Sequence, residues 1–281
     1  MSVQGWKYYN HAMIPDCAPN EEPDLSVFET GEIWKKSSGG GTPLLARWTS
    51  NYDNPKYEDW WYIIQDNPIE IENLKKSHRR KINKGLANFE CHVIDQNLYL
   101  ERLADITLKA WQEWPDKYRP SENKEQIMEG YRRSHSTFFG CFNNDGLLCG
   151  FDTVEDCGNY WRLESGRVDP EYEKGYELNA AMTYTEIQFL KDDILKGKYI
   201  SNGQRNTVHE TNFNEDLCHY YGYRKVKCKL NIAYNPKYRW FVDIVYPFRN
   251  LIGHFDSNRF VYLLSCVLKM EEIARKQRKI I

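Results

Sequence analysis

The sequence has no long apolar run and no excess of charge of one sign. Its longest apolar stretch, residues 260–268, is far shorter than the roughly 20 residues that a membrane-spanning helix needs. No apolar run follows a basic start at the N-terminus, so we expect no signal peptide and a cytoplasmic protein. Because 38 Lys and Arg nearly balance 40 Asp and Glu, no overall field draws nucleic acid or an anionic membrane to the chain. We therefore expect no DNA partner, and any anion-binding site must be local.

Metal-binding motifs and several common catalytic motifs are also missing. The eight cysteines are scattered, without a CxxC pair and without a histidine at ligand spacing. We expect reduced thiols and no bound metal. The absence of GxSxG, HExxH, P-loop and dinucleotide-binding motifs argues against serine hydrolases, zinc proteases, nucleotide-triphosphate enzymes and Rossmann dehydrogenases. The 281 residues are enough for one large domain or two small ones.

Helix and strand patterns alternate along the chain, which is typical of a mixed α/β fold. Two apolar runs, 43–50 and 60–66, flank a turn-rich stretch and predict a buried hairpin or two neighbouring strands. From Pro68 a helical pattern continues to about Lys84, with an acidic first turn, a basic last turn and Gly85 as its C-cap. Further strands are predicted at 89–94, at 137–142, 147–154 and 160–168 as an antiparallel meander, and at 199–203 and 225–235. Further helices are predicted at 99–114, 177–191 and 213–221.

Four segments are predicted from composition and pattern. Residues 1–42, rich in Pro, Glu and Ser, predict an extended arm with a mobile loop, and 43–95 predict a smaller N-terminal lobe. The main domain is expected at 96–235. The tail, 236–281, has Ser257 as a possible N-cap, an apolar first half and a basic end. It predicts a docked helix or, alternatively, a contact with a partner or a membrane surface, and a homodimer is possible.

The segment Val168–Met182 has the order of a phosphate-binding strand, turn and helix. VDP ends a strand, Gly175 follows seven residues after Val168, and a helix begins. Backbone N–H groups at the start of a helix favour an anion because they are unpaired and the helix dipole is positive there. This segment, together with a YYGY sequence that ends in Gly222 and Tyr223, resembles the GNAT-type acyltransferases, particularly their FemAB-like branch. The resemblance covers roughly residues 43–235.

The resemblance implies a mixed, mostly antiparallel sheet with flanking helices, preceded by a smaller partial lobe of the same kind. It implies transfer of an acyl group from an acyl-CoA thioester, most simply acetyl-CoA, to a primary amine such as that of an amino sugar or amino acid. The FemAB-like branch implies aminoacyl-tRNA as an alternative donor. A non-catalytic binding protein of the same fold is a third possibility, because Tyr172, Glu177 and Cys218 depart from the family's pattern. The residues that would hold coenzyme A are Val168, Asp169, Lys174, Gly175, Tyr176, Glu177 and Leu178.

Acyl transfer to an amine also needs groups that accept and donate a proton. Glu164 in the strand 160–168 is the first candidate for the base, with a surface ion pair as the alternative explanation. His209, in a loop that follows a strand, is the second candidate. Tyr220 or Tyr221 would protonate the leaving thiolate.

Two further groups of polar residues are candidates for substrate binding. A basic helical stretch, which includes Arg79 and Arg80, would bind a phosphorylated donor or acceptor through charge-assisted contacts, unless it is only a solvated helix face. Arg162, which shares one strand face with Glu164, is a single further candidate for substrate binding. In the loop after 199–203, the polar side chains of Gln204, Arg205 and Asn206 would position a sugar hydroxyl or a carboxylate.

Overall fold

The computed structural model describes residues 3–35, 40–116, 119–206, 213–252 and 259–280. The chain forms two compact units, each built from segments that are distant in sequence. The first unit comprises Met1–Tyr62, Gln204–Glu210 and Lys225–Ile281, and the second comprises Ile63–Gly203 and Thr211–Arg224. The boundaries expected after residues 42, 95 and 235 stay a prediction about which segments fold on their own.

The described residues form strands and helices in a mixed order. The strands are β1 (Trp6–Tyr9), β2 (Ala12–Pro15), β3 (Leu45–Ser50), β4 (Trp61–Gln65), β5 (Phe89–Ile94), β6 (Thr137–Asn143), β7 (Leu148–Asp156), β8 (Tyr160–Leu163), β9 (Arg167–Val168), β10 (Tyr199–Gln204), β11 (Arg224–Lys227) and β12 (Lys229–Tyr234). The helices are α1 (Ser26–Glu29), α2 (Lys76–Asn88), α3 (Leu100–Gln112), α4 (Lys124–Arg133), α5 (Pro170–Glu173), α6 (Leu178–Leu195), α7 (Phe213–Tyr220), α8 (Pro236–Val245), α9 (Arg249–Ile252) and α10 (Arg259–Gln277). This composition confirms the expected mixed α/β class.

The first unit contains a four-stranded sheet in the order β1-β2-β3-β12. Its core buries Trp6, Met13, Val27, Ile33 and Ala46. The expectation that residues 1–42 form an extended arm is therefore wrong for the described residues up to 35, because their aromatic and aliphatic side chains bury apolar surface here. The Pro, Glu and Ser residues that suggested an arm lie mainly between these buried positions.

Strand β3 pairs antiparallel with β12, from Leu45 opposite Tyr234 to Ser50 opposite Lys229. Strand β4 belongs to a different sheet, so the expectation that 43–50 and 60–66 form a hairpin or neighbouring strands is wrong. The single strand predicted at 225–235 is also divided, since β11 and β12 lie in different sheets on either side of buried Cys228.

The larger sheet has the strand order β11-β4-β10-β8-β7-β6-β5, and β9 pairs with β7. The division between the compact units passes through β4 and β11. Strands β5 to β8 pair antiparallel, which confirms the predicted meander, and β10 adds parallel to β8. Leu178 of α6 packs with Phe89 and Cys149, while Leu103 of α3 packs with Phe138.

Helix α2 begins and ends later than the sequence predicts. It starts at Lys76, after a short 3₁₀ turn at Ile71–Asn73, so the acidic residues after Pro68 lie outside its first turn. Gly85 is inside this helix and is not its C-cap. A Cβ atom at Gly85 would lie 2.5 Å from the carbonyl oxygen of Glu177, just before α6. This glycine therefore permits α2 to pack closely against the start of α6.

Cys91 and Cys141 form a disulfide between β5 and β6, where they lie directly opposite each other. The expectation of eight reduced thiols is wrong for this pair. The two residues are 50 positions apart in sequence, so only the strand register brings them together. The spacing of the cysteines along the chain gives no signal of this pairing.

The C-terminal helix α10 is docked on β12, as one of the two expectations for the tail predicted. The Gln277 side chain accepts a hydrogen bond from the Leu230 N–H at 2.7 Å and donates one to the Cys228 carbonyl at 3.3 Å. Ser257, the expected N-cap, lies outside the described residues. Within the part of the chain that the structure describes, no helix combines the length and hydropathy of a membrane span.

Candidate active site

The strand predicted at 160–168 is interrupted in the middle of the larger sheet. Strand β8 pairs with the parallel strand β10 up to Arg162, which lies opposite Ser201. After a break at residues 164–166, β9 pairs with β7, and no described strand joins it to β10. Strands β8 and β10 therefore separate beyond Arg162. The backbone groups that follow in these two segments do not pair with each other.

The loop after β9 leads directly into α6. Asp169 caps the short helix α5, and Gly175 and Glu177 both have positive φ angles, of 83° and 63°. A positive φ is natural for glycine and strained for glutamate. Lys174, Gly175 and Tyr176 are exposed, as residues of a binding loop would be.

The first turn of α6 is not capped by a side chain. Glu177 makes no capping hydrogen bond, and its carbonyl accepts from the N–H groups of Ala180 and Ala181. Among the described residues, none accepts a hydrogen bond from the backbone N–H groups of Leu178 and Asn179. The side chain of Leu178 is buried in the core, so this residue offers only its backbone. These two N–H groups, at the positive end of the helix dipole, favour an anion.

Asp169 has a structural role that the sequence did not reveal. Its buried carboxylate accepts hydrogen bonds from Arg102 at 3.0 Å and from Lys109 at 2.9 Å, both on α3. Burial alone would raise the pKa of Asp169, but the hydrogen bonds from Lys109 and from the Glu171 N–H, with the positive charges nearby, lower it. The side chain therefore fastens the loop to α3 and is not available to a ligand. The seven-residue spacing of Arg102 and Lys109, on one helix face, is the signal that could have indicated this anchor.

The C-terminal end of α7 packs on α2. The ring of Tyr220 lies 4.4 Å from the ring of His78, and the Lys81 ammonium lies 4.7 Å from the centre of the Tyr220 ring. Burial raises the pKa of Tyr221, and neighbouring carboxylates, including Glu177, raise it further. The charge of Glu177 links Tyr221 electrostatically to the start of α6. The raised pKa keeps Tyr221 protonated at neutral pH, as a proton donor must be.

Asp152 on β7 and Glu186 on α6 form a buried acidic pair that sequence reasoning missed. Their side chains are 6% and 1% exposed. Burial raises the pKa of Asp152 to about 7, although a hydrogen bond from the Thr153 N–H and the charge of Arg167 oppose this shift. Burial and the charge of Asp152 raise the pKa of Glu186 well above its ordinary value. The pair therefore holds at least one proton near neutral pH.

The buried acidic pair lies beside the break between β8 and β9. A Cβ atom at Gly166, in the break, would be 3.2 Å from Oδ2 of Asp152. One oxygen of Glu186 and the hydroxyl of Tyr223 are buried without a hydrogen-bond partner among the described residues. Asp152 interrupts an apolar run, and Glu186 follows Met182 by one helical turn on the buried stripe. Acidic residues at such core-facing positions were the available signal.

Glu164 lies in the break itself. Its carboxylate accepts hydrogen bonds from the Ser136 hydroxyl and from Arg162, the latter at 3.3 Å. Arg162 also pairs with Glu155. The structure thus places Glu164 in a partly exposed ion-pair group at the point where the strands part, and its role as the base stays a prediction.

The predicted loop residues belong to the first compact unit. Gln204 accepts a hydrogen bond from Arg47 at 2.6 Å, and Arg205 donates one to a backbone carbonyl of the same unit at 2.8 Å. Asn206 is the last residue described before a gap, and His209 lies outside the described residues. Their role in substrate binding stays a prediction.

Helix α2 presents a dense group of cations. They are mostly exposed, and in the described part of the chain none is ion-paired with a carboxylate. The residues are Lys75, Lys76, Arg79, Arg80, Lys81 and Lys84. Helix α2 contacts the start of α6 at Gly85, so these cations lie on the helix that touches the uncapped end of α6.

No group of three or more His, Cys, Asp or Glu side chains among the described residues could hold a metal ion.

The fold is similar to that of several solved structures, whereas no family model and no curated protein matches the sequence. L-PGS from Bacillus licheniformis is 12% identical, with a TM-score of 0.50 over 89% of this chain and 85% of that chain. FemX is 10% identical, with a TM-score of 0.47 over 71% of this chain and 66% of that chain. A GCN5-related N-acetyltransferase from Sphaerobacter thermophilus is 12% identical, with a TM-score of 0.37 over 62% and 51%. The chain therefore shares the fold of L-PGS from Bacillus licheniformis.

Proposed function

We propose that this protein is an acyltransferase that moves an acyl group from an activated, phosphate-bearing donor to a primary amine. The observation that carries this proposal is the parting of β8 and β10 beside the uncapped first turn of α6. The free N–H groups of Leu178 and Asn179 would bind a donor phosphate, and the exposed loop residues 174–176 would flank it. The simplest donor is acetyl-CoA or another acyl-CoA, and the acceptor is the amine of a small metabolite such as an amino sugar or amino acid.

In the proposed reaction, the amine nitrogen attacks the thioester carbonyl carbon, so that a C–N bond forms and the C–S bond breaks. Glu164, at the break between β8 and β9, takes the proton from the amine directly or through water. Tyr220 or Tyr221 gives a proton to the leaving thiolate. The position of Glu164 where the strands part, and the proximity of Tyr221 to the charge of Glu177, support these assignments.

Aminoacyl-tRNA is the second candidate donor, and the cations of α2 favour it. A tRNA presents many phosphates, and each Lys or Arg that neutralises one phosphate strengthens binding. With this donor, the bond that breaks is the C–O ester bond to the ribose, and the leaving alkoxide takes the proton. If the protein binds neither acyl-CoA nor aminoacyl-tRNA, the third possibility remains, which is a binding protein of the same fold without catalytic activity.

The donor can be identified by calorimetric titration with acetyl-CoA, desulfo-CoA and aminoacyl-tRNA. We expect Lys81→Glu to weaken binding of the true donor by about tenfold or more, because it reverses a charge on α2 near the start of α6. The matched control is Lys196→Glu, which makes the same charge change just beyond the opposite end of α6. Equal loss in both variants would indicate a general charge effect, and no binding of any donor would contradict the proposed function.

The proposed base can be tested with two substitutions that disturb the same arginine. Glu164→Gln should lower turnover at saturating substrate by roughly 100-fold or more, because it removes the proton acceptor. Glu155→Gln removes the other carboxylate that pairs with Arg162, outside the break, and should change turnover only a few-fold. Unchanged turnover in Glu164→Gln would remove this residue from the mechanism.

A further inference from the structure

The buried acidic pair, Asp152 of β7 and Glu186 of α6, has a third polar neighbour in the second unit. Tyr223 follows α7 and is only 4% exposed. Burial raises the pKa of Tyr223, and the charges of Glu186 and Asp152 raise it further, so its hydroxyl lies near both carboxylates. Three segments that are distant in sequence thus bring polar side chains together in the core, where apolar side chains are usual. We call Asp152, Glu186 and Tyr223 the buried polar cluster.

The oxygen atoms of the buried polar cluster have few hydrogen-bond partners. One oxygen of Glu186 and the hydroxyl of Tyr223 have none among the described residues. Asp152 accepts a hydrogen bond from the Thr153 N–H at 2.7 Å, although a carboxylate can accept about four. Buried polar atoms are normally hydrogen-bonded, because leaving them without a partner is costly. The cluster therefore has oxygen atoms available to accept hydrogen bonds from a ligand.

The protein neutralises the charge of this cluster only in part. In the described part of the chain, neither Asp152 nor Glu186 forms an ion pair with a Lys or Arg. The cation that faces Asp152 is Arg167, whose side chain donates a hydrogen bond to the Gly166 carbonyl at 2.7 Å and lies 5.2 Å from the centre of the Trp114 ring. The acidic pair instead holds a proton, so it has the place of a missing cation.

The break between β8 and β9 gives access to the cluster at Gly166. This glycine is exposed, and a Cβ atom there would lie 3.2 Å from Oδ2 of Asp152. No side chain of residue 166 therefore covers the carboxylate on this side. Within the described residues, β9 has no strand partner towards β10, so the break is open at the same point. A small cationic group that enters the break meets Asp152 first.

We propose that the buried polar cluster is a subsite for a primary alkylammonium group, which enters beside Gly166. An ammonium group has three N–H donors, and each of the three side chains offers at least one acceptor oxygen. Its positive charge replaces the proton that the acidic pair otherwise holds. An anion would be repelled by the two carboxylates, and a ligand without N–H or O–H groups would leave the oxygen atoms without donors.

The identity of the ligand rests on the proposed function, in which the acceptor is an amine. A nitrogen held by two carboxylates keeps its proton, because neighbouring negative charge stabilises the ammonium form. It therefore cannot be the nitrogen that attacks the thioester. The reacting amine lies elsewhere, at Glu164 in the proposed reaction, and the acceptor is then a compound with a second amine. Binding of the second amine itself needs no acyl donor.

Calorimetric titration of the full chain with butylammonium chloride, without any acyl donor, tests the subsite. We expect saturable binding, and at least about tenfold weaker binding of butyltrimethylammonium chloride, which has the same charge but no N–H donor. Titrations near pH 7 in two buffers of different ionisation enthalpy should also show that binding releases a proton from the acidic pair. An acidic pair with a purely structural role would release none.

Removing one carboxylate should weaken this binding. Asp152→Asn should lower the affinity for butylammonium by about tenfold or more and abolish the proton release, because the pair no longer shares a proton. The matched control is Asp156→Asn, which removes a carboxylate from the same strand outside the cluster and should bind like the native protein.

A second pair of variants tests the entrance and changes no charge. Gly166→Ala should also lower the affinity by about tenfold, because its methyl group covers Oδ2 of Asp152. Gly130→Ala adds the same group where nothing lies within 4 Å, and it should bind like the native protein.

Four results would overturn this inference. They are no binding of butylammonium by the native chain, equal affinity for butyltrimethylammonium, equal loss of affinity in Asp152→Asn and Asp156→Asn, and tighter binding of alaninamide. The last result would assign the subsite to the aminoacyl group of a donor and not to a second amine of the acceptor. Failure of all acyl donors to bind, with butylammonium still bound, would contradict only the proposed function, since this titration contains no donor.

Discussion

Replacing Gly85 with alanine should lower the free energy of unfolding by about 1–3 kcal/mol, the usual cost of inserting atoms into a close-packed contact. The added methyl group would lie 2.5 Å from the Glu177 carbonyl oxygen and 2.9 Å from the Ala181 nitrogen. Both are backbone atoms, so no side-chain rotation can relieve the clash. Either α2 must move away or the first turn of α6 must shift. Chemical denaturation, with the change in midpoint at constant slope, measures this loss.

Gly130 provides the matched control for this substitution. It lies in α4, and a Cβ atom there would meet nothing within 4 Å. Gly130→Ala should therefore raise the free energy of unfolding by about 0.5–1 kcal/mol, which is the ordinary gain of alanine over glycine in a helix. If Gly85→Ala stabilised the protein by the same amount, close packing between α2 and α6 at this position would be disproved. A shift of the α6 first turn should also weaken donor binding in the Gly85 variant alone.

The native protein should lose stability as the pH rises from about 4 to about 7, and Asp152→Asn should remove much of this loss. The pKa of Asp152 is raised from 3.8 to about 7 in the folded protein, mainly because the carboxyl is buried. The folded state therefore binds this proton more tightly than the unfolded chain does. The resulting stabilisation is fully present below about pH 4 and is lost as the pH passes through about 7. Its upper limit, at about 1.4 kcal/mol per pKa unit, is about 4 kcal/mol.

Denaturation midpoints measured at several pH values test this profile. Asp156→Asn is the control, because Asp156 lies on the same strand and pairs with Lys198 at 2.9 Å, which lowers its pKa. Its contribution is lost only at lower pH, so this variant should keep the native slope between pH 4 and pH 7. Should Asp152→Asn show the native slope as well, the proton is not held at Asp152. A gain in stability at pH 8 together with a loss of turnover would connect the buried acidic pair with function.

Elements with strong local patterns were predictable from the sequence. Helix α3, expected at 99–114 from apolar spacing, extends from Leu100 to Gln112. The meander followed from two tight-turn signals between strand patterns. The order of strand, turn and helix patterns in the sequence predicts helix α6 and the glycine before it. The same order underlies the family resemblance. In each case neighbouring residues in the chain carry the information, because the hydrogen bonds and turns are local.

Features that depend on packing between distant segments were not predictable in the same way. The start of α2 was misplaced because acidic residues before Lys76 imitate a first helical turn. The local pattern predicts Gly85 as a C-cap. Its contact with the carbonyl of Glu177 involves a segment that is distant in sequence, so the local pattern does not indicate it. The partners of β3 are β2 and β12 and not β4, although β4 is nearer in sequence, because pairing across a sheet is set by tertiary structure. Asp152 is buried beside Glu186 of α6, a segment that is distant in sequence, so the sequence of β7 alone does not identify its partner.

The pairing of β3 with β12 has a consequence for synthesis of the chain on the ribosome. Residues up to Tyr62 leave the ribosome first, yet their sheet is completed only when Lys229–Tyr234 emerges, after the main segment of the second unit. Until then β3 has a free edge on the side that β12 will occupy. The second unit can therefore begin to fold before the first one is finished, although the first unit begins earlier in the gene. A chain that stops before β12 would leave that edge open to pair with other nascent chains.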